Sequence, residues 1–210
     1  MCVKFSAEEF VRLKDVLLIY EWSQQIVLTK FNIMRQDFIN FQSNNPIEHI
    51  KGRIKSPETI AQKLQKKDLE ITAENARKHI ADISGIRIIC PFAKDIYSLV
   101  EVIKSMPDWV VIREKDYVSN PKPSGYRSYH LKITVPIFYS GNTEEVPVEI
   151  QIRTAAMDFW ATMEHKVKYK YNNEVPRHLS DELIFCADKI AELDGRMLLI
   201  HEIISLINED

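Results

Sequence analysis

The sequence predicts an α/β (α+β) fold, a mixed sheet of about five strands flanked by helices. Helix caps and 3.6-residue apolar spacing alternate along the chain with short runs of strict apolar/polar alternation. The first 45 residues contain neither Gly nor Pro. Ser6-Ala-Glu-Glu9 reads as a capping box, and Phe10, Leu13, Leu17 and Tyr20 recur at helical spacing, so the N-terminus is helical in one or two pieces. Gly52 to Lys55 is a short strand. Ser56-Pro57 then supplies a cap and a first-turn proline for a helix to about Lys67. Ile60 and Leu64 pack that helix inward, leaving Thr59, Lys63 and Lys66 on a neighbouring face. Ile86–Cys90 is a strand and Ile96–Ser105 a helix, and strands follow at Trp109–Arg113, Arg127–Pro136 and Pro147–Arg153. Thr154 caps a helix to about Tyr171 whose apolar face carries Trp160, Met163 and Val167. Ser180 opens a last helix, marked by Leu183, Ala187, Ile190, Met197 and Ile204.

A chain of 210 residues with 45% hydrophobic content suits one domain with a sizeable core. Its net charge of −2 excludes a surface coated for general nucleic-acid or membrane binding. Anionic partners must meet local patches instead. Lys51, Arg53, Lys55, Lys63, Lys66 and Lys67 form one, opposed only by Glu58. Arg113, Lys115, Lys122, Arg127 and Lys132 form a second. Cys2, Cys90 and Cys186 are few, odd in number and far apart, which disfavours a disulfide framework or a zinc site and points to a reducing, cytoplasmic setting. No apolar run approaches the roughly 18 to 20 residues that span a bilayer, and no secretory signal pattern is present.

Chemistry concentrates in three segments. In Lys122-Pro-Ser-Gly-Tyr-Arg-Ser-Tyr-His130, alternation places Tyr126, Ser128, His130 and Lys132 on one face, with Arg127 and Tyr129 opposite. In Val148–Thr154, Glu149, Gln151 and Arg153 share one side while Val148, Ile150 and Ile152 pack the other. Asp82-Ile-Ser-Gly-Ile-Arg87 heads a further apolar run. The five glycines include no Gly-x-x-x-x-Gly-Lys and no Gly-x-Gly-x-x-Gly, so phosphates must be held by side-chain cations and metal. Two strand-borne acids, Asp82 and Glu149, could ligate a hard cation such as Mg²⁺. Taken alone, Asp82 reads more readily as a loop or cap acid, and Glu149 as the outward residue of a half-exposed strand.

Gly52-Arg-Ile-Lys55, Asp82–Arg87, Arg113-Glu-Lys-Asp116, Ser124–His130 and Val148–Arg153, in this order, resemble the synthetase domain of the RelA/SpoT family. The resemblance is strong from about Pro46 to Tyr171. Asn45-Pro-Ile-Glu-His49 and Ile71-Thr-Ala-Glu74 lean toward its RelP-type small alarmone synthetases. The resemblance implies a nucleotidyltransferase-like fold. It organises residues 1–210 as N-terminal helices (1–45), a catalytic core (46–171) and a C-terminal helix (172–210).

It further implies transfer of pyrophosphate from ATP to the 3′-hydroxyl of GTP or GDP. Asp82 and Glu149 would bind Mg²⁺, with Glu149 helping to deprotonate the attacking hydroxyl. ATP would be held by Arg53, Lys55, Thr59, Lys63, Lys66 and Arg87, the adenine lying between Arg53 and Arg87. Lys66 stands where some relatives carry an arginine. GTP would meet Lys115, Lys122, Tyr126, His130 and Gln151, with Tyr126 stacking on guanine through its ring rather than its hydroxyl. Arg113–Asp116 matches a basic motif form associated with a single Mg²⁺, and Glu164 and His165 fall near the site. None of the six histidines precedes an Asp, which predicts synthesis without alarmone hydrolysis. A homotetramer built through the terminal helices is also implied, with single-stranded RNA or the alarmone itself as candidate regulators. Two other readings are open on the sequence: a different acceptor, such as tRNA or an adenine nucleotide, and a catalytically idle nucleotide- or RNA-binding module.

Overall fold

A single unbroken helix, α1 (Ala7–Phe41), opens the fold in the computed structural model, which describes residues 4–42, 45–172 and 174–207. Cys2 lies outside the described residues. Ser6 caps α1 by accepting from the Glu9 N–H at 3.2 Å. The Glu9 carboxylate leaves its own helix and accepts from the Ala73 N–H at 2.7 Å, at the start of α3 (Ala73–His79). Helix α3 has no counterpart in the sequence reading because seven residues are too few for a periodic pattern. Its one local signal is Thr72, which accepts from the Asn75 N–H.

The strands are β1 (His49–Ile54), β2 (Ser84–Cys90), β3 (Val110–Asp116), β4 (Tyr129–Tyr139) and β5 (Asn142–Thr154). The remaining helices are α2 (Pro57–Gln65), α4 (Ala93–Lys104), α5 (Ala155–Lys170) and α6 (Arg177–Ile207). Strands β4 and β5 run past the predicted ends at Pro136 and Pro147 into a hairpin. Ser140 and Gly141, with φ of 49° and 81°, supply its tight turn. Both prolines sit where their own strand is paired on one side only: Pro136 lies beyond the Val110↔Thr134 pair that ends β3, and Pro147 lies before the Ser84↔Val148 pair that begins β2. A missing N–H breaks no further ladder there.

The sheet order is β1-β2-β5-β4-β3, with β2 and β5 parallel and every other neighbour antiparallel. Ile86, Ile88, Val148, Ile150, Leu131 and Ile133 are buried and join α1, α3 and α4 in one core. Gly52 lets α1 lie close to β1: a Cβ there would come within 2.7 Å of the Gln24 side chain, whose amide donates to the Gly85 carbonyl. Residues on the opposite face line up across all five strands. One row is Lys51, Arg87, Gln151, His130 and Lys115, and the next is Arg53, Gly85, Glu149, Lys132 and Arg113.

Thr154 caps α5 as expected, accepting from the Met157 N–H. Helix α6 starts at Arg177, before the predicted Ser180, and packs on α5 through Ala187, Leu183 and Ile190. Met197 and Ile204, on the expected apolar face of this helix, are each 51% exposed. Where α6 meets the Lys122–Tyr126 loop, Gly125 has φ of +88° and a Cβ would fall 2.6 Å from the Ala187 methyl. Both the left-handed backbone and the contact require glycine. Gly125→Ala is therefore expected to cost about 1–3 kcal/mol in urea unfolding. A change within a few tenths would show that the loop can leave α6 freely.

Candidate active site

The polar face of the sheet holds two adjoining cavities. The first, of about 400 Å³, is lined by the predicted donor-side residues Arg53, Lys55, Thr59 and Arg87, together with Asp82 and Glu149. Gly85 forms part of its floor, since it fills the gap between Arg53 and Glu149 with no side chain. Lys51, Ile86, Gln151 and His165 also line it. The second cavity, of about 290 Å³, is lined by Lys115, Lys122 and His130, and by Arg113, Tyr117 and Lys132. Asp82 and Glu149 border both.

Some predicted residues stand elsewhere. Lys66 is the exposed C-cap of α2 and lines neither cavity. Gln151 lies on the first cavity, not the second with which it was grouped. Ser128 does not share the open face with His130, because β4 begins only at Tyr129. Ser128 is buried and donates to the Ile152 carbonyl at 3.2 Å. Tyr126 precedes the strand, yet its hydroxyl reaches His130 Nε2 at 2.8 Å and accepts from Arg153 at 2.6 Å. The Lys122 ammonium approaches the Tyr126 ring at 4.6 Å and the Arg153 guanidinium at 5.1 Å. A purine stacking there must displace one of them, and Lys122 is the exposed one. Arg127 and Tyr129, expected on the opposite face, line neither cavity: Arg127 donates to the Val118 carbonyl, and buried Tyr129 bonds Glu114.

Sequence reasoning missed Tyr117, whose ring lies 5.3 Å from that of His130 and 4.8 Å from the Lys122 ammonium. It follows Asp116 directly, where the apolar alternation of β3 has already ended. Asp158 was missed too, although it is the acid in the first turn of α5, where a helix favours negative charge. It pairs with Arg87 at 3.0 Å and with Arg153 at 2.9 Å.

Each acid between the cavities is held ionised. Asp82 precedes β2 and receives Lys55 at 2.7 Å and also Lys63. Burial alone would raise its carboxyl, but hydrogen bonds from the two lysines outweigh burial and hold it at about 2. Burial likewise opposes Glu149, and hydrogen bonds from His130 and Gln151 overcome it and lower its pKa, while the Asp82 charge pushes the other way. Arg87 is lowered by burial first and then by the neighbouring Arg153. No group of three or more His, Cys, Asp or Glu side chains that could hold a metal occurs among the described residues. The protein can thus offer a cation two carboxylates, and other ligands must come from water or substrate phosphate.

A carboxylate depressed in the folded state stabilises the fold fully above its unfolded pKa and loses that contribution as pH falls toward the folded value. The difference in urea stability between wild type and Asp82→Asn should accordingly shrink between 3.8, the ordinary value, and about 2. A difference that stays flat over this interval would show that the two lysines do not hold the carboxylate.

Residues 52–174 match the sequence profile described as "Region found in RelA / SpoT proteins". The chain is 48% identical over 185 residues to the GTP pyrophosphokinase YwaC of Bacillus subtilis, covering 88% of each sequence. Its fold superposes on the crystal structure of the small alarmone synthetase 2 from Bacillus subtilis with a TM-score of 0.82 at 46% identity, covering 90% of this chain and 97% of that one. The small alarmone synthetase 1 of the same organism, bound to its product pppGpp, superposes with a TM-score of 0.86 at 32% identity, covering 92% and 98%. Five motifs in the expected order, a mixed five-stranded sheet that presents them on one face, and these likenesses agree: the chain belongs to the RelA/SpoT family.

Proposed function

We propose that the chain is a (p)ppGpp synthetase, transferring the β,γ-pyrophosphate of ATP to the ribose 3′-hydroxyl of GTP or GDP and releasing AMP. One observation carries the reading: two cation-lined cavities meet at a pair of ionised carboxylates, Asp82 and Glu149. The first cavity suits the donor, with Arg53 and Arg87 placed to flank a base and Lys55, beside Lys63, placed for phosphates. The second suits the acceptor, with Lys115, Lys122, Arg113 and Lys132 for its phosphates and the Tyr117, Tyr126 and His130 rings for its base.

The acceptor 3′-oxygen attacks the β-phosphorus of ATP, the bond from that phosphorus to the oxygen bridging the α-phosphorus breaks, and AMP leaves. Glu149 stands between the cavities as a carboxylate that can receive the hydroxyl proton. His130, with Nδ1 3.8 Å from Glu149, and Gln151, which donates to it at 3.0 Å, hold that carboxylate in place. The lysines and arginines align the phosphates and neutralise their charge, as expected for phosphoryl chemistry governed by position and electrostatics. Asp82 and Glu149 also fit one Mg²⁺: they stand close enough for the charge of one to act on the other, a repulsion that a cation would relieve. When bound, it would neutralise phosphate charge as a Lewis acid.

The open apolar side chains of α6, including Leu193, Met197, Ile200 and Ile203, support the homotetramer as part of the proposal. No helix among the described residues is long and apolar enough to cross a membrane. A cytoplasmic location follows in the proposal from the pools of ATP and GTP that the reaction draws on.

Incubation with labelled ATP and, separately, GTP, GDP, ATP or tRNA tests the reading. Label should appear on the guanine nucleotides, and transfer to another acceptor alone would refute it. Asp82→Asn and Glu149→Gln keep shape but remove charge, so each should lower synthesis at least about a hundredfold with the fold intact. Lys63→Ala and Arg53→Ala should raise the KM for ATP far more than that for GTP. Equal effects on both would show that the cavities have been assigned the wrong way round.

A further inference from the structure

We infer that Asp158 is a positioning residue that couples the two nucleotide cavities, so that filling one tightens the other; the inference rests on the proposed assignment of donor and acceptor. Asp158 itself lines neither cavity. Its single oxygen Oδ1 takes two guanidiniums, Arg87 at 3.0 Å and Arg153 at 2.9 Å. Arg87 lines the donor cavity and its side chain is 40% exposed there. Arg153 is buried and continues the network, donating to the Tyr126 hydroxyl at 2.6 Å and to Gln151, itself on the donor cavity, at 2.9 Å. Tyr126 in turn bonds His130, which faces Glu149 in the acceptor cavity.

The two guanidiniums carry like charge and repel, and the Nε atoms of Arg87 and Arg153 are buried without a hydrogen-bond partner. A single carboxylate atom bridges them and offsets that repulsion. A base that draws Arg87 over its face pulls on the oxygen that also holds Arg153, and through Arg153 on the acceptor ring. Asp158 can do this because Thr154 anchors the first turn of α5 directly after β5, which holds Arg153 and its helix partner at a set distance. The Tyr126 hydroxyl becomes part of the machinery, contrary to the expectation that only its ring matters.

The test compares the Kd for GTP, by calorimetry, with and without saturating α,β-methylene ATP, which cannot transfer its pyrophosphate. In the wild type the analogue should tighten GTP at least about fivefold, and GTP should tighten the analogue by the same factor. Asp158→Ala should bring the ratio to about one, Asp158→Asn should lower it in part, and Asp158→Glu should restore some of it. Tyr126→Phe, which keeps the ring and removes the hydroxyl link, should also lower the ratio, and it serves as the independent arm if an Asp158 variant does not fold. A merely structural Asp158 would weaken both nucleotides while leaving the ratio intact. A wild-type ratio of one, or an unchanged ratio in either Asp158→Ala or Tyr126→Phe, overturns the inference. Turnover is scored separately: wild-type protein that transfers no pyrophosphate overturns the proposed function, whereas turnover with no coupling overturns the role of Asp158 alone.

Discussion

The register between β2 and β5 is the constraint on which the site depends. These central strands run parallel, pairing Arg87 with Gln151 and Gly85 with Glu149. The register is set from the other face, where Ile86, Ile150, Leu131 and Val148 are buried against the helical layer. A slip of one residue would turn that apolar set outward and bury the charged rows instead, so apolar burial excludes it. The electrostatics on one face are thus fixed by hydrophobic packing on the other. Gly85 matters to both, since its missing side chain opens the floor of the first cavity while its carbonyl accepts from Gln24 of α1.

Much of this was legible in the chain because it is local. Alternation in Val148–Arg153 put Glu149 and Gln151 on the open side, and the Ser56-Pro57 and Thr154 caps announced α2 and α5. What escaped depends on distance in space. Gln151 neighbours both Arg87 of β2 and His130 of β4, so no local rule says which cavity it borders. Asp158 acquires meaning only when the parallel pairing brings Arg87 beside Arg153, and nothing within α5 announces that. Ser128 was misplaced because alternation was extended three residues upstream of where β4 begins. The hairpin was cut short because Pro136 and Pro147 look like strand ends until the widths of the neighbouring ladders are known.

Clustered cations on a chain of net charge −2 need local balance, and the fold supplies it economically. Lys55 and Lys63 share the Asp82 carboxylate, and Arg87 and Arg153 share Asp158. One acid serving two cations keeps each pair close and still leaves surplus positive charge facing the cavity. Partly buried cations of like sign would otherwise repel and lose hydration without compensation. The same acids therefore hold the cationic groups together and leave them underneutralised, which is the condition for receiving a polyphosphate.

The two outer strands of the sheet, β1 and β3, are edges whose free N–H and C=O groups could recruit a strand from another molecule. Those strands carry Lys51 and Arg53 at one border and Arg113 and Lys115 at the other, and β3 is further disturbed by a register shift between Val111 and Arg113. Charge on an edge strand, and a break in its ladder, are what keep such borders from zipping together. The residues proposed to gather phosphate therefore also guard the protein against edge-to-edge aggregation. Neutralising them removes that charge, so under the proposed function solubility and nucleotide affinity are tied to the same few side chains.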